Sequence, residues 1–330
     1  MPEKRQFIEV FRSTFHEKIS QEELITLETE NEYKIFQHKS RKTYAPTPKL
    51  KNIHRFLNNT VFEYADYNKE VVFSYRKGKS VREAVELHAG SKIFFQTDIS
   101  NFYGSITREN VEHSLREQLN NVPISDIKEY IPLILKLVVV DNHIPAGFST
   151  SPVLSNICLY EFDNALQVHC ENNGLIYSRY SDDIIISGES SEFVDRVTKT
   201  TEDLLHKYIN TNVSLNPDKT KVHKKGRYFR LLGFTILPDG KITIPSQDKK
   251  EIETSLYFYL TDSSKFVDLF TKTNQVALNE VDSVSIRERA IASLSGKLIG
   301  VNSMDKNYIS KLRGKYGNTV IDMFIRKAAK

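Results

Sequence analysis

Two adjacent aspartates, Asp182 and Asp183, are the residues in this sequence best suited to chemistry. They stand between two apolar runs, residues 175–180 and 184–188, which is the pattern of a β-hairpin with carboxylates at its tip. Neighbouring carboxylates repel each other and lose hydration when buried, so a packed sheet holds them only beside a compensating cation. Mg²⁺ is the natural candidate, because it takes carboxylate oxygens and keeps coordination positions for phosphate. On these residues alone, a solvated Ser-Asp-Asp turn is the simpler interpretation.

A third carboxylate, Asp98, ends an apolar run at residues 93–98 that predicts a buried strand. An aspartate that leaves the end of a core strand is placed like the metal ligands of many phosphoryl-transfer sites. Asp98 and Asp182 could therefore share metal ions. Thr107 then predicts the cap of a following helix.

Between these carboxylates, residues 144–152 predict a loop that runs into a helix, with Ser151 as the cap and Pro152 as the first helical residue. Glycine and hydroxyl groups before a helix N-terminus suit contact with a nucleotide or a template strand. An ordinary capped helix also accounts for Ser151 and Pro152, but it does not explain why Gly147 stands in this loop.

Basic side chains are concentrated in three stretches, residues 39–51, 73–80 and 219–230. The third contains no acidic residue and is the clearest of them. Such stretches could contact a phosphate backbone, although solvated charged loops are equally common. Because the net charge is only +4, a nucleic-acid surface would have to come from this clustering.

Composition and periodicity set the wider organisation. A length of 330 residues allows one or two lobes with an appended module. Two cysteines exclude a disulfide framework, and the lack of a membrane-length apolar stretch predicts a soluble, cytoplasmic protein without membrane contact. The predicted elements are helices up to about residue 40 with a capping box at 20–23, a helix at 193–208, a strand at 228–236, a hairpin turn at Asp239-Gly240 and helices beyond 245.

The order of these segments resembles the reverse transcriptases over most of the chain, from near Arg41 to near Tyr316. Residues 75–80 and 97–106 are similar to the bacterial defence-associated enzymes, and residues 177–183 and 308–317 are similar to the retron enzymes. The resemblance therefore does not decide between these two related groups. The matching motifs are Asp98 with Phe102-Tyr103, Pro145-Ala146-Gly147 with Ser151-Pro152, Tyr180-Ser181-Asp182-Asp183, Leu215-Asn216-Pro217-Asp218-Lys219-Thr220 and Leu231-Leu232-Gly233.

This resemblance implies an α/β (α+β) fold, a right-hand polymerase with fingers, palm and a helical thumb. It implies an N-terminal helical extension at residues 1–34, fingers and palm at 35–244, and the thumb at 245–330. Its chemistry would be nucleotidyl transfer with two Mg²⁺ ions, for which Mn²⁺ is a substitute.

The resemblance also assigns roles to single residues. Asp98 and Asp182 would be the principal metal ligands, with Asp183 secondary and the Ile99 carbonyl as an addition. Lys219 would approach the triphosphate and assist the leaving pyrophosphate. The expected nucleotide-binding residues are Tyr103 as a steric gate against a ribose 2′-hydroxyl, Ala146 and Gly147, and the finger residues Arg76 and Lys77.

Two further expectations concern sugar choice and nucleic acid. Ala146 stands where the family usually has Gln, which puts nucleotide affinity or sugar discrimination in doubt. Leu232 and Gly233 match the loop that holds the primer end. The remaining candidate nucleic-acid contacts are Ser151, Lys224, Lys225, Arg227, Arg313 and Lys315.

The expected function is RNA-directed DNA synthesis on a dedicated, structured non-coding RNA in anti-phage defence. dNTPs and the DNA product are the other implied partners, and a companion effector protein and a homo-oligomer stay open. The alternatives are template-independent or protein-primed DNA synthesis, an inactive nucleic-acid-binding scaffold, and RNA-directed RNA synthesis, against which Tyr103 argues.

Overall fold

The computed structural model describes residues 4–16, 18–38, 41–274 and 283–327. The chain divides into two compact units, Met1–Lys79 with Ser91–Lys224, and Ser80–Gly90 with Lys225–Lys330. Within the described ranges, no helix has the length and apolar character needed to cross a membrane. The strands are β1 (Tyr33–His38), β2 (Arg41–Pro46), β3 (Ile93–Asp98), β4 (Ile176–Tyr180), β5 (Asp183–Gly188), β6 (Lys221–Lys224), β7 (Phe229–Leu231), β8 (Phe234–Ile236) and β9 (Ile242–Thr243).

Helices supply most of the remaining structure. In the first unit they are α1 (Phe7–Phe15), α2 (Gln21–Thr26), α3 (Pro48–Thr60), α5 (Phe102–Ser105), α6 (Arg108–Gln118), α7 (Ile131–Val138), α8 (Ser151–Cys158), α9 (Tyr160–Asn172) and α10 (Val194–Tyr208). In the second unit they are α4 (Val81–Leu87), α11 (Ser246–Thr261), α12 (Ser263–Asn274), α13 (Ser283–Met304), α14 (Lys306–Tyr316) and α15 (Asn318–Lys327). The predicted capping box at Ser20 and the Thr107 cap are both present.

A four-stranded sheet in the order β4-β5-β3-β6 forms the centre of the first unit. Its neighbouring strands are antiparallel, and the register pairs Ile93 with Gly188 and Asp98 with Asp183. Phe94, Phe95 and residues 184–186 are fully buried, so both faces of β3 and β5 are covered. Burial on both faces explains why these strands are continuous apolar runs in the sequence rather than alternating ones.

The region before this sheet differs from the sequence expectation. Residues 33–38 and 41–46 form the antiparallel hairpin β1–β2, where helix and then loop were expected. Tyr33 and Tyr44 contact each other edge to face at 5.4 Å, and both rings pack against Phe148. These contacts with a distant loop, which no local pattern reveals, favour the hairpin. Lys39 of the basic stretch lies outside the described residues.

The expected basic loop also contains a helix. Thr47 accepts a hydrogen bond from the Leu50 N–H, and Pro48 occupies the first turn of α3. This is a favourable helix start, because proline has no N–H to leave unpaired there. The two prolines of this stretch therefore mark the end of a strand and the start of a helix.

The second unit combines the meander β7–β8–β9 with a helical bundle. The expected single strand at 228–236 is wrong, because it is split into β7 and β8 by a tight turn. Leu232 and Gly233 form this turn with positive φ angles of 47° and 83°. The turn at Asp239-Gly240 and the helices beyond residue 245 are confirmed.

Candidate active site

The candidate catalytic carboxylates meet at one end of the central sheet of the first unit. β4 and β5 form the predicted hairpin, and its turn is Ser181-Asp182, with Ser181 in the left-handed region at φ 61°. The Ile99 N–H donates to the Asp182 carbonyl at 3.0 Å, which joins this turn to the end of β3. Asp98 and Asp183 are direct cross-strand partners. Residues 85 positions apart in sequence are thus brought together by strand register alone.

A buried hydrogen-bond network supports the turn from within the protein. The fully buried Arg179 guanidinium donates through Nη1 to the Ser181 carbonyl at 2.9 Å and to the Asn156 side chain at 3.2 Å. Its Nε and Nη2 donate to the two carboxylate oxygens of Asp163 at 2.8 and 2.6 Å. The Ser181 N–H in turn donates to Ser74 Oγ at 2.8 Å. Sequence reasoning missed this network, although an arginine inside an apolar strand is a signal for it.

The site concentrates negative charge. Burial, and then the neighbouring Asp98, raise the pKa of Asp182. Burial, and then the charge of Asp182, raise the pKa of Asp183 to about 6. Lys219 Nζ lies 2.6 Å from Asp98 Oδ2, and this hydrogen bond raises the pKa of Lys219. A positive charge therefore stabilises the site, as expected where carboxylates bind cations.

The donor set fits magnesium held jointly by protein and substrate. Across the described ranges, no three Asp, Glu, His or Cys side chains converge as a complete metal site. Gln96 Nε2 lies 3.4 Å from Asp183 Oδ1, so this carboxylate already has a partner. Mg²⁺ usually takes one or two carboxylates and completes its shell with water and substrate phosphates. Asp98 and Asp182 match that requirement.

A polar cleft of about 860 Å³ opens beside these carboxylates. Its volume is in the range of small-molecule sites. Six of the residues expected at the site line it, namely Asp98, Ile99, Tyr103, Ala146, Asp182 and Lys219. Gln37, Lys42 and Tyr75 also line it and were not assigned from the sequence. Lys42 belongs to the basic stretch at 39–51, which was the available signal.

The two expected finger cations are engaged elsewhere and are not among the residues lining this cleft. Arg76 Nη1 donates to the carbonyls of Lys69 and Val72 at 2.5 and 2.6 Å. Lys77 Nζ lies 2.9 Å from a Glu63 carboxylate oxygen. A role of Arg76 and Lys77 in nucleotide binding stays a prediction.

The loop before α8 has a structural explanation. Gly147 has a φ of 107°, and a Cβ there would collide with the Tyr44 carbonyl oxygen of β2. The prediction that Ser151 caps α8 is wrong, because Thr150 is the cap residue and Ser151 begins the helix. Ser151 is fully buried, and its hydroxyl donates to the Pro145 carbonyl at 2.7 Å. Its side chain thus holds the loop that carries Ala146.

The remaining nucleic-acid candidates are divided between the units. Lys224 ends β6 in the first unit, whereas Lys225 and Arg227 begin the second. The three are exposed, as expected of phosphate contacts. Leu232 and Gly233 form the β7–β8 turn of the second unit. There Arg313 pairs with Asp322 at 2.9 Å and Lys315 with Glu253 at 2.5 Å, so both cations have carboxylate partners.

Comparison with known proteins agrees with this geometry. The family described as reverse transcriptase (RNA-dependent DNA polymerase) matches residues 33–236, more than half of the chain. The retron Ec83 reverse transcriptase of Escherichia coli is 25% identical over 285 residues, covering 84% of this chain and 82% of that protein. The retron Ec86 reverse transcriptase of Escherichia coli is 23% identical over 286 residues, covering 87% and 81%.

Among solved structures, the chain is similar to telomerase from Candida albicans in complex with a fragment of telomeric RNA, with a TM-score of 0.45 and 13% identity. The match covers 87% of this chain and 59% of that chain, so the present chain spans less than two thirds of the telomerase length. The family match confirms the expected mixed α/β fold of a polymerase of this kind. The chain belongs to the reverse transcriptase family, the RNA-directed DNA polymerases.

Proposed function

We propose that this chain copies RNA into DNA by two-metal nucleotidyl transfer at Asp98 and Asp182. The observation that carries the proposal is the joining of the ends of β3 and β5, which places both carboxylates on one polar cleft. Asp98, Asp182 and the Ile99 carbonyl would hold the ions, with Asp183 as a secondary ligand. When bound, Mg²⁺ (or Mn²⁺ in its place) supplies charge for the attacking and leaving oxygens.

Lys219 is the proposed charge partner of the leaving pyrophosphate. Its ammonium lies against Asp98 on the cleft, and its raised pKa keeps it protonated at neutral pH. A protonated lysine can offset the charge of the pyrophosphate or give it a proton. Lys42, on the opposite hairpin β1–β2, adds a second cation to the cleft for triphosphate binding.

Tyr103 is the proposed steric gate of the sugar pocket. It follows Asp98 by five residues, lines the cleft and contacts the Phe102 ring at a centroid distance of 5.3 Å. The Ala146 carbonyl accepts a hydrogen bond from the Tyr44 N–H at 2.7 Å, so the loop is held by its backbone. Because the side chain of Ala146 is only a methyl group, sugar discrimination is assigned to Tyr103.

The template is proposed to be a dedicated, structured non-coding RNA, with a role in cytoplasmic anti-phage defence. The support is that the curated relatives named above are retron reverse transcriptases, together with the exposed basic residues at 224–227. Folded RNA is recognised through shape, phosphates and 2′-hydroxyls. RNA copurified from cells should therefore be enriched in one species and be released as salt rises. Recovery of no enriched RNA, with equal extension of any primed template, would contradict this part.

The chemistry is tested by single-nucleotide extension of a DNA primer on an RNA template. Asp98→Ala and Asp182→Ala should each lower the rate by at least about a hundredfold. Each variant loses several kcal/mol of transition-state charge stabilisation, and every 1.4 kcal/mol lowers the rate about tenfold. Asp195→Ala, on the exposed side of α10, is the matched control and should keep the wild-type rate. Extension by folded Asp182→Ala at the wild-type rate refutes the proposed site. An inert wild-type protein that binds RNA supports the scaffold alternative.

A further inference from the structure

Three hydroxyl groups from three separate segments meet at the edge of the cleft. The Tyr75 hydroxyl oxygen lies 3.0 Å from the Tyr103 hydroxyl and 2.7 Å from Ser181 Oγ. Tyr75 comes from the loop before α4, Tyr103 from α5, and Ser181 from the turn that carries Asp182. Hydrogen bonds of these lengths fall within the normal range for hydroxyl pairs. The three side chains therefore form one connected unit, here called the hydroxyl cluster.

The backbone around Tyr75 is held in an unusual conformation. Its φ of 58° is in the left-handed region, which is uncommon for a bulky residue. The preceding Ser74 fixes it from both sides, because its carbonyl accepts from Asn156 Nδ2 at 3.0 Å and its Oγ accepts from the Ser181 N–H at 2.8 Å. Strain of this kind persists where the surroundings over-determine it, and such sites are often functional. The strained backbone directs the Tyr75 side chain into the cleft.

We propose that Tyr75 and Ser181 are positioning residues for Tyr103, whose ring they hold at the depth that excludes a ribose 2′-hydroxyl. This inference rests on the proposed function, because it takes Tyr103 as the sugar gate. Without the cluster, the Tyr103 ring keeps its contact with Phe102 but loses the anchor at its outer end. The ring can then tilt away from the sugar and admit ribonucleotides.

The chemistry of the cluster agrees with a mechanical role. Burial, followed by the Tyr75 hydroxyl, raises the pKa of Tyr103, so its phenol remains protonated at neutral pH. Three hydroxyls carry three hydrogens and the two contacts use two of them. The cluster is therefore a neutral tether in which each bond can be removed by a single-atom substitution.

The test compares ribonucleotide with deoxyribonucleotide incorporation on an RNA template. One neutral hydrogen bond is worth about 0.5–1.5 kcal/mol, so Tyr75→Phe and Tyr103→Phe should each raise the ribo-to-deoxy efficiency ratio about two- to tenfold. The change should appear mainly as a lower KM for the ribonucleotide. The ratio of the double variant should be close to that of either single variant, because both changes remove the same hydrogen bond between Tyr75 and Tyr103. Tyr130→Phe, which removes the hydroxyl of a tyrosine that stacks on Phe7 and does not line the cleft, is the control and should keep the wild-type ratio.

The outcomes distinguish failure of the proposed function from failure of the positioning role of Tyr75 and Ser181. If the wild-type protein incorporates neither nucleotide, the proposed function fails. If the wild type is active and Tyr103→Ala raises the ratio while both Phe variants keep it, the ring alone is the gate and the tether is refuted. Thermal melting identifies variants that do not fold. Should Tyr75→Phe be one of them, Tyr103→Phe and Ser181→Ala decide the result in the same way.

Discussion

The buried pair of Arg179 and Asp163 gives the sharpest prediction about stability. Both side chains are 0% exposed, and the two groups share two hydrogen bonds. Asp163→Ala leaves the guanidinium buried without its counter-charge, which typically costs about 3–5 kcal/mol. At about 2–4 °C per kcal/mol, the value for domains of about 150–250 residues, the melting temperature should fall by about 6–20 °C. The Tyr177 hydroxyl, which donates to Asp163 at 2.7 Å, also loses its acceptor.

A double variant shows what this pair does. Replacing both residues by apolar ones, Asp163→Leu with Arg179→Met, should recover much of the lost stability, because no buried charge remains. The recovered protein should still extend primers poorly and need more Mg²⁺, since the Ser181 carbonyl beside Asp182 has lost its donor. Differential scanning calorimetry and a Mg²⁺ titration of primer extension measure the two effects.

The exposed helical pair of Glu112 and Arg116 is the control for the deletion of a charge partner. Glu112→Ala should cost less than about 1 kcal/mol, because water screens both charges. A loss of stability below about 1 kcal/mol for Asp163→Ala would refute the reasoning, since it would mean that Arg179 is hydrated or has found another carboxylate partner. Full activity in the apolar double variant would refute the positioning role while leaving the stability argument intact.

Two other predictions follow from the site. Because the pKa of Asp183 is raised from 3.8 to about 6, this group destabilises the metal-free native state as pH rises through about 6. Mg²⁺ should therefore raise the melting temperature more at about pH 8 than at about pH 5.5, and equal shifts would contradict this. Gly147→Ala should cost more stability than Gly174→Ala, since both have positive φ but only Gly147 faces the Tyr44 backbone. Equal melting temperatures would show that the loop before α8 moves freely.

The sequence by itself determined the hairpin that carries Asp182 and Asp183 and the strand that ends at Asp98. Their apolar runs are continuous, and their boundaries are marked by polar residues that suit a turn, so short-range interactions are sufficient. The capping box at Ser20 and the Thr107 cap were predictable for the same reason, because each cap involves residues within one helical turn. Family resemblance then supplied the family assignment, which the match to residues 33–236 confirms.

Only the tertiary structure decided which side chains share the cleft. Lys42 reaches it because residues 33–38 and 41–46 pair as strands and their tyrosines pack against Phe148, more than a hundred residues away in sequence. Arg76 is equally basic in sequence, but nearby backbone carbonyls take its guanidinium. Arg179 is buried because Asp163, on a helix that precedes its strand, compensates the charge. Burial and pairing depend on what lies across the fold, and a local pattern of residue types does not contain that information.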